Sequence, residues 1–416
     1  MKTFMNNKYS YLMAAAVLAG SMSFTACTNE EEVINPLEGP QSSVTLGFSV
    51  AGMGTKATQD EVNLGTTMQT IKNIVVAPMV NGAYSYPIVL PDLDPASPTN
   101  CHKNVKLLSS VNRFRVYGNL PDANAKPSEG SQFQGFTYTP ASATLEGDKT
   151  VKDAVVPYNL LYYVDTEDTK GFSVATGDNW ANASWTADQK AIGENNLIKI
   201  AGVKYKVGVF GLAVMESEAA KAEKIAFDTQ DAADLGTNGA TIGANVFAVD
   251  GILVSGQAAS FNDKGEWGAA DKKVYETAAT ATLATKKIGT AVSQSASKLT
   301  LNGANVYCVV SPTAVGATVD VNIRFKNVSD KYIKMNDGTV VAPNAYIYIP
   351  ALLDASKLAG EDQNKAVFAE ATTTVLNATV KSWGVGTGEP TQTTDLQLGI
   401  EVDMSWTAGL VFDQEI

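Results

Sequence analysis

The sequence predicts an all-β fold of the sandwich class. Short apolar runs rich in Val, Ile, Tyr and Phe recur along the chain, Gly, Asn, Asp and Pro cluster between them, and helical periodicity is scarce. Hydrophobic residues make up 45% of the chain, enough to build real cores, and 416 residues suggest two or three domains.

The chain opens on MKTFMNNKYSYLMAAAVLAGSMSFTAC. Lys2 and Lys8 form a basic start, an apolar run follows from Tyr11 to Phe24, and Thr25 and Ala26 close it on small residues. This is the three-part pattern of a cleaved signal peptide over residues 1–26. The run falls short of the roughly 20 apolar residues of a membrane-spanning helix, so an uncleaved anchor is the lesser reading. The ending resembles a bacterial lipobox, with Phe24 where Leu is commoner. By that resemblance the Cys27 thiol accepts lipid and becomes the first residue of the processed chain. Acyl chains contribute about 0.8 kcal/mol per buried methylene, so two or three of them hold a protein firmly on a bilayer. Glu30, Glu31 and Glu32 follow as a solvated spacer, which also resembles the acidic tag of surface-delivered Bacteroidetes lipoproteins.

The first strand is expected where Val44, Leu46, Phe48 and Val50 alternate with Thr45, Gly47 and Ser49. The next stretch, GMGTKAT over 52–58, reads as a mobile, cleavable loop. Lys56 is the only Lys or Arg between Cys27 and Lys72. It is either an ordinary solvated lysine or the single place where a Lys-directed or trypsin-like protease cuts this region.

Further strands are expected at Ile71 to Val80, Phe114 to Tyr117, Tyr205 to Val214, Val246 to Val254, Val306 to Val310, Val319 to Phe325 and Tyr346 to Ile349. A polar stretch from Gly177 to Asn196 precedes a strong new strand pattern, which puts a domain boundary near Leu197. Glu216 to Ile225 reads as a short helix and Asp354 to Leu358 as a turn of another. Thr277 to Ala291 reads as a hairpin or loop.

Net charge is −12, from 43 acidic and 31 basic residues with no basic cluster, which argues against nucleic acid as a partner. Cys101 and Cys308 either pair or are buried separately, and no metal-ligand spacing or cofactor motif occurs. His102 is the only histidine. A Ser-His-Asp triad would have to rest on it, and there is no nucleophile elbow. Cys101 and His102 are adjacent, so on an extended chain they point to opposite sides. Acidic residues are plentiful, but nothing singles out a catalytic pair. No catalytic residue is assigned, and the chain does not read as an enzyme.

The end of the chain is unusual. Leu396, Leu398, Ile400, Val402, Met404 and Trp406 alternate without a break with Gln397, Gly399, Glu401, Asp403 and Ser405. Such a strand would run about 35 Å at the usual rise per residue, against an ordinary length of about 5–6 residues. A flexible linker, GVGTGEPTQTT over 384–394, precedes it. It is either a C-terminal edge strand or a detachable one that completes another molecule's sheet. At about 1.5–3 kcal/mol per buried side chain, six of them sum to about 9–18 kcal/mol, which a compact unfolded chain brings down to roughly 10 kcal/mol. Cleavage at Lys56 would free the first strand with its lipid and open a groove for such a donor.

In order along the chain, VTLGFSV leading to GTKAT, then IKNIVVAPMV, FRVYGNLP, VYCVVSPTAVGATVDVNIRF, NAYIYIPALLD and TTTVLNATVKSWGVG with Trp383 resemble a fimbrillin, the Bacteroidales type V pilin family. The resemblance covers most of the sequence and rests on the order of the motifs. It implies two tandem β-sandwich domains of transthyretin-like, Greek-key type. The parts would be a signal peptide at 1–26, a lipidated propeptide at 27–56, domains at 57–196 and 197–383, and a linker with donor strand at 384–416. Lys56 would be the last residue removed and Ala57 the mature start, although the family usually carries Arg there. The donor would be Leu396 to Trp406, with an extension to Phe412 left open. The implied partners are identical or related subunits, the outer membrane through the precursor's lipid, a processing protease of Lys/Arg specificity, and a host or bacterial surface receptor. The implied location is the cell surface, first as an outer-membrane-attached precursor and then as an extracellular fimbrium.

Two other readings compete with a pilus shaft subunit. One is a tip adhesin or glycan-binding surface lipoprotein, in which Tyr162, Tyr163, Trp180 and Trp185, near Asp and Asn, form sugar platforms. The same aromatics serve equally as core. The other is an extracellular hydrolase, for which no motif speaks.

Overall fold

The computed structural model describes residues 36–39, 41–50, 72–90, 102–108, 110–120, 127, 130–145, 153–166, 173–175, 197–222, 225–227, 240–241, 246–290, 292–295, 298–334, 340–358, 360–381, 383, 397–399 and 407–415. They form an all-β molecule of packed sheets with no barrel, and helix is confined to short pieces. The strands of the first half are β1 (Gln41–Val50), β2 (Ile74–Val80), β3 (Ala83–Tyr84), β4 (Ile88–Leu90), β5 (His102–Leu108), β6 (Arg113–Gly118), β7 (Thr137–Tyr138), β8 (Ala154–Val155), β9 (Tyr162–Asp165), β10 (Ser173–Ala175) and β11 (Leu197–Tyr205). The second half has β12 (Gly208–Glu216), β13 (Ile225–Phe227), β14 (Ala240–Thr241), β15 (Phe247–Gln257), β16 (Phe261–Asn262), β17 (Lys272–Thr277), β18 (Val292–Ser295) and β19 (Lys298–Leu301). It ends with β20 (Val306–Val310), β21 (Thr318–Asn327), β22 (Tyr332–Lys334), β23 (Val340–Val341), β24 (Tyr346–Asp354), β25 (Thr372–Val380), β26 (Gln397–Gly399) and β27 (Thr407–Glu415). The one α-helix described, α1, is Glu218–Ala222, inside the span the sequence marked.

The first sheet runs β3-β2-β6-β9-β11-β1-β5, with β4 beside β2 and β10 beside β11. All seven residues of β2 are buried, so it lacks the alternation of a strand with one wet face. Pro78 sits in its middle without breaking the sheet. Its carbonyl accepts from Ser85 N–H at 2.8 Å, so its backbone points to the side where β3 has ended and β4 has not begun. No partner there calls on the N–H that proline lacks.

The second half holds two five-stranded sheets, β20-β12-β25-β27-β26 and β24-β21-β15-β17-β8, and a four-stranded one, β14-β13-β22-β23. β8 comes from the first half yet pairs in parallel with β17, and β7 pairs with β16. β7 and β8 therefore reach into the second half. The chain crosses from one body of sheets to the other between Tyr205, the end of β11, and Gly208, the start of β12.

The core between these sheets is built from alternating positions such as Val319, Val321, Ile323 and Phe325 of β21, all buried. Gly251 marks a bulge in β15 against β21, and a Cβ there would stand 2.5 Å from the Glu276 carbonyl oxygen. Trp383 closes this core. It is 1% exposed, packs on Phe247 and Phe325 with ring centroids 4.7 and 5.2 Å away, and donates its indole N–H to Glu216 at 2.5 Å. On the outward side of β21, Arg324 is also buried. Its guanidinium lies 4.1 Å from the Tyr346 ring and its Nε donates to Asp250 at 2.5 Å, so the charge is both paired and stacked.

Candidate functional site

Interior strands of a sheet hold ladders on both sides, and β1, the first strand described, is one of them. It pairs antiparallel with β5 from Gln41↔Leu108 to Gly47↔His102, and parallel with β11 from Thr45↔Leu197 to Val50↔Val203. Thr45, Leu46 and Gly47 thus have partners on both sides, while among the described residues Gln41 to Val44 pair with β5 and Phe48 and Val50 with β11. Among the described residues β5 pairs with no strand but β1. Val44, Leu46, Phe48 and Val50, expected on the first strand, all lie in β1. Cys27, Lys56 and Ala57, upstream and downstream of it, lie outside the described residues.

The C-terminal segment is bound to its own molecule. β27 pairs in parallel with β25 from Thr372↔Thr407 to Thr379↔Glu415, with a bulge between Thr373 and Val375. β26 pairs antiparallel with β27 over Gln397, Leu398 and Gly399. Parallel neighbours need a crossover of a dozen residues or more, and residues 381–406 supply its length. Of the donor-strand residues, Leu398 lies in β26, while Leu396, Ile400, Val402, Met404 and Trp406 lie outside the described residues. The sequence reading treated 407–412 at most as an extension of one strand. The structure makes Thr407–Glu415 a separate strand, and the Leu410, Val411, Phe412 run was the available signal.

The remaining sequence candidates do not converge. His102 opens β5, and Cys101 is outside the described residues. Cys308 is buried in β20, and burial pushes its thiol pKa up, the opposite of an activated nucleophile. Tyr162 and Tyr163 are 1% and 3% exposed, so both are core and neither is a sugar platform. The Tyr162 ring packs 4.1 Å from that of Tyr205, and burial raises its pKa. Trp180 and Trp185 are outside the described residues.

Sequence reasoning missed the polar seam between the two bodies of sheets. Asp165 accepts from Arg113 Nε at 2.6 Å and from Arg115 Nε at 2.8 Å. Arg115 also donates to the Tyr84 hydroxyl at 2.5 Å, and that hydroxyl donates to Asp263 in the turn after β16. Burial is the largest cause raising the Tyr84 pKa, with the Asp263 bond next. Beside this network, Gly265 has φ +76°, and a Cβ on it would stand 2.4 Å from the Tyr163 ring, so the turn needs a glycine.

No family model matches the chain, and no curated protein matches it. Among solved structures it is similar to a candidate cell adhesion protein from Bacteroides eggerthii, at 11% identity and TM-score 0.39, over 92% of this chain and 99% of that one. It is also similar to a candidate cell adhesion protein from Bacteroides uniformis, at 12% identity and TM-score 0.32, over 83% and 96% of the two chains. A third is a candidate polysaccharide-binding protein from Bacteroides thetaiotaomicron, at 8% identity and TM-score 0.29, over 88% and 93%.

Proposed function

We propose that this chain is a structural subunit, of the shaft, of a cell-surface pilus that supports adhesion. It is exported as a precursor lipidated on Cys27, cut after Lys56 and joined to its neighbours by donor-strand exchange. The single observation that carries the reading is the position of β1: an interior strand encoded upstream of the one basic residue in its loop. Adhesion is also the class named for solved structures of distant likeness, but the argument rests on β1.

Before the cut, β1 is tethered and its effective concentration at the slot is high. The cut makes its return a bimolecular event, and the lipid carries the freed peptide away with the membrane. The emptied slot exposes two strand edges, those of β5 and β11, a ready template for another chain. β5 and β11 run antiparallel to each other, because β1 is antiparallel to one and parallel to the other. Any incoming strand is therefore parallel to one wall of the slot. The incoming strand is Leu396 to Trp406 of a second copy or a related subunit. To serve a neighbour, β26 leaves its place beside β27, so exchange swaps one set of strand pairs for another. The cut supplies its direction.

The test is substitution of Lys56. With Lys56→Gln the chain should keep its lipidated N-terminus and form no surface fibres, and Lys56→Arg should restore both cutting and fibres. Fibres built from Lys56→Gln subunits that start at Ala57 would overturn the assignment.

A further inference from the structure

Once β1 has left, the strand partners that β11 keeps among the described residues are Ser173 to Ala175 of β10, and Tyr162 and Tyr163 of β9. Losing the β1 ladder along Leu197 to Val203 should let this wall fray, unless something fixes its end. The residue just past that end is Lys206, and all three of its polar groups are held by separate parts of the molecule. Its backbone N–H donates to the Leu161 carbonyl at 2.9 Å. Its carbonyl accepts from the indole N–H of Trp267 at 3.1 Å, in the stretch that follows the Gly265 turn. Its ammonium pairs with Glu370 and lies 5.7 Å from the centre of the Tyr163 ring. The Lys206 side chain is 15% exposed and that of Glu370 26%, so the pair is shielded from water on most sides. The next residue, Val207, is wholly buried and its carbonyl accepts from Ala371 N–H at 2.9 Å.

We infer that Lys206 is a positioning residue that holds the β11 wall of the emptied slot in place, so that the slot stays open for an incoming strand. This rests on the strand-exchange reading above. Lys206 does not touch the incoming strand. It acts by fixing Tyr205 and the end of β11 to the Glu370–Ala371 turn and to Trp267, which belong to the second body of sheets. In the uncut chain β1 already holds β11 along Leu197 to Val203, so the clamp is redundant there. It becomes decisive only after the cut.

The experiment uses the full chain with a sequence-specific endoprotease site in place of residues 52–58, in wild-type, Lys206→Met and Lys206→Arg forms. Amide hydrogen exchange over residues 197–205 is compared before and after cutting and removal of the N-terminal peptide. Lys206→Met should leave protection nearly unchanged in the uncut chain and lower it about tenfold or more in the cut one, and Lys206→Arg should restore it. Trp267→Phe, which removes the indole donor and trims the ring that packs on Tyr158 and Phe261, should show the same dependence on cutting in weaker form. Equal loss in cut and uncut chains, or no loss in either, would overturn the inference. The strand-exchange reading fails by a different result: the peptide staying bound after the cut and resisting competition by an excess of a peptide spanning residues 395–407. In that case the peptide is removed in mild urea and the Lys206 comparison is read all the same.

Discussion

A chain ending at Thr394 is expected to reach the surface, to be cut after Lys56, and to build no fibres. The truncation removes β26, β27 and the whole alternating segment from Leu396 to Trp406. Six apolar side chains in a neighbour's slot contribute up to roughly 10 kcal/mol, before the backbone pairs are added. Without them no joint between subunits should outlast purification. The truncated chain also exposes the edge of β25 that β27 covers, so its folding is checked by circular dichroism and its urea midpoint. A folded, truncated subunit still owns a slot. Mixed with full-length subunits it should accept one donor and offer none, and so shorten fibres in proportion to its share. Fibres of unchanged length and number from the truncated chain alone would sink the donor-strand account.

The second large effect belongs to stability. Trp383→Ala is expected to cost about 3–5 kcal/mol, the usual range for removing a large aromatic from a core. Trp383 is the largest fully buried side chain among the described residues, it touches Phe247 and Phe325, and its loss leaves Glu216 without the indole donor. Domains are stable by only about 5–15 kcal/mol in total, so this is a large share. Trp383→Phe should fall well short of that cost, since it keeps most of the packing and loses one hydrogen bond, worth about 1 kcal/mol. The urea midpoint reads both. A shift for Trp383→Ala no larger than that for Trp383→Phe would show that the cavity closes and that Trp383 is not the keystone of the second core.

The strands were legible where one residue type repeats at a strand's own period. Val44 to Val50 and Val319 to Phe325 alternate, and both are strands. Burial of a continuous run such as Ile74 to Val80 was legible as a strand too, although its Pro78 is tolerated only because β3 and β4 leave a gap beside it. That gap is a fact of tertiary pairing, and no local pattern carries it. The change of composition at Leu197 marks the start of β11, yet β11 pairs with β1 and β9, and the following strand β12 belongs to the second body, so the chain crosses at Lys206 and Val207. β7 and β8 likewise lie in the first half of the chain and pair with strands of the second. Strand partners far apart in sequence leave no local trace.

The candidate site divides in the same way. The alternation of β1 was readable, but its interior place between β5 and β11 was not, and that place is what makes the strand's removal consequential. Tyr162 and Tyr163 carried two readings because tyrosine suits both a core and a sugar platform, and burial decides for the core. Nothing local in the sequence sets Lys206 or Arg324 apart from other charged residues. Each is shielded by partners brought from elsewhere in the chain: Glu370 and Trp267 for one, Asp250 and Tyr346 for the other.

The N-terminal sequence of the mature protein, taken from material released from the cell surface, tests the central claim most directly. A start at Ala57, with Cys27 and β1 absent, is the result this account predicts. A start at acylated Cys27, with Gln41 to Val50 still in place, would contradict it and leave the protein an anchored lipoprotein with its first sheet intact.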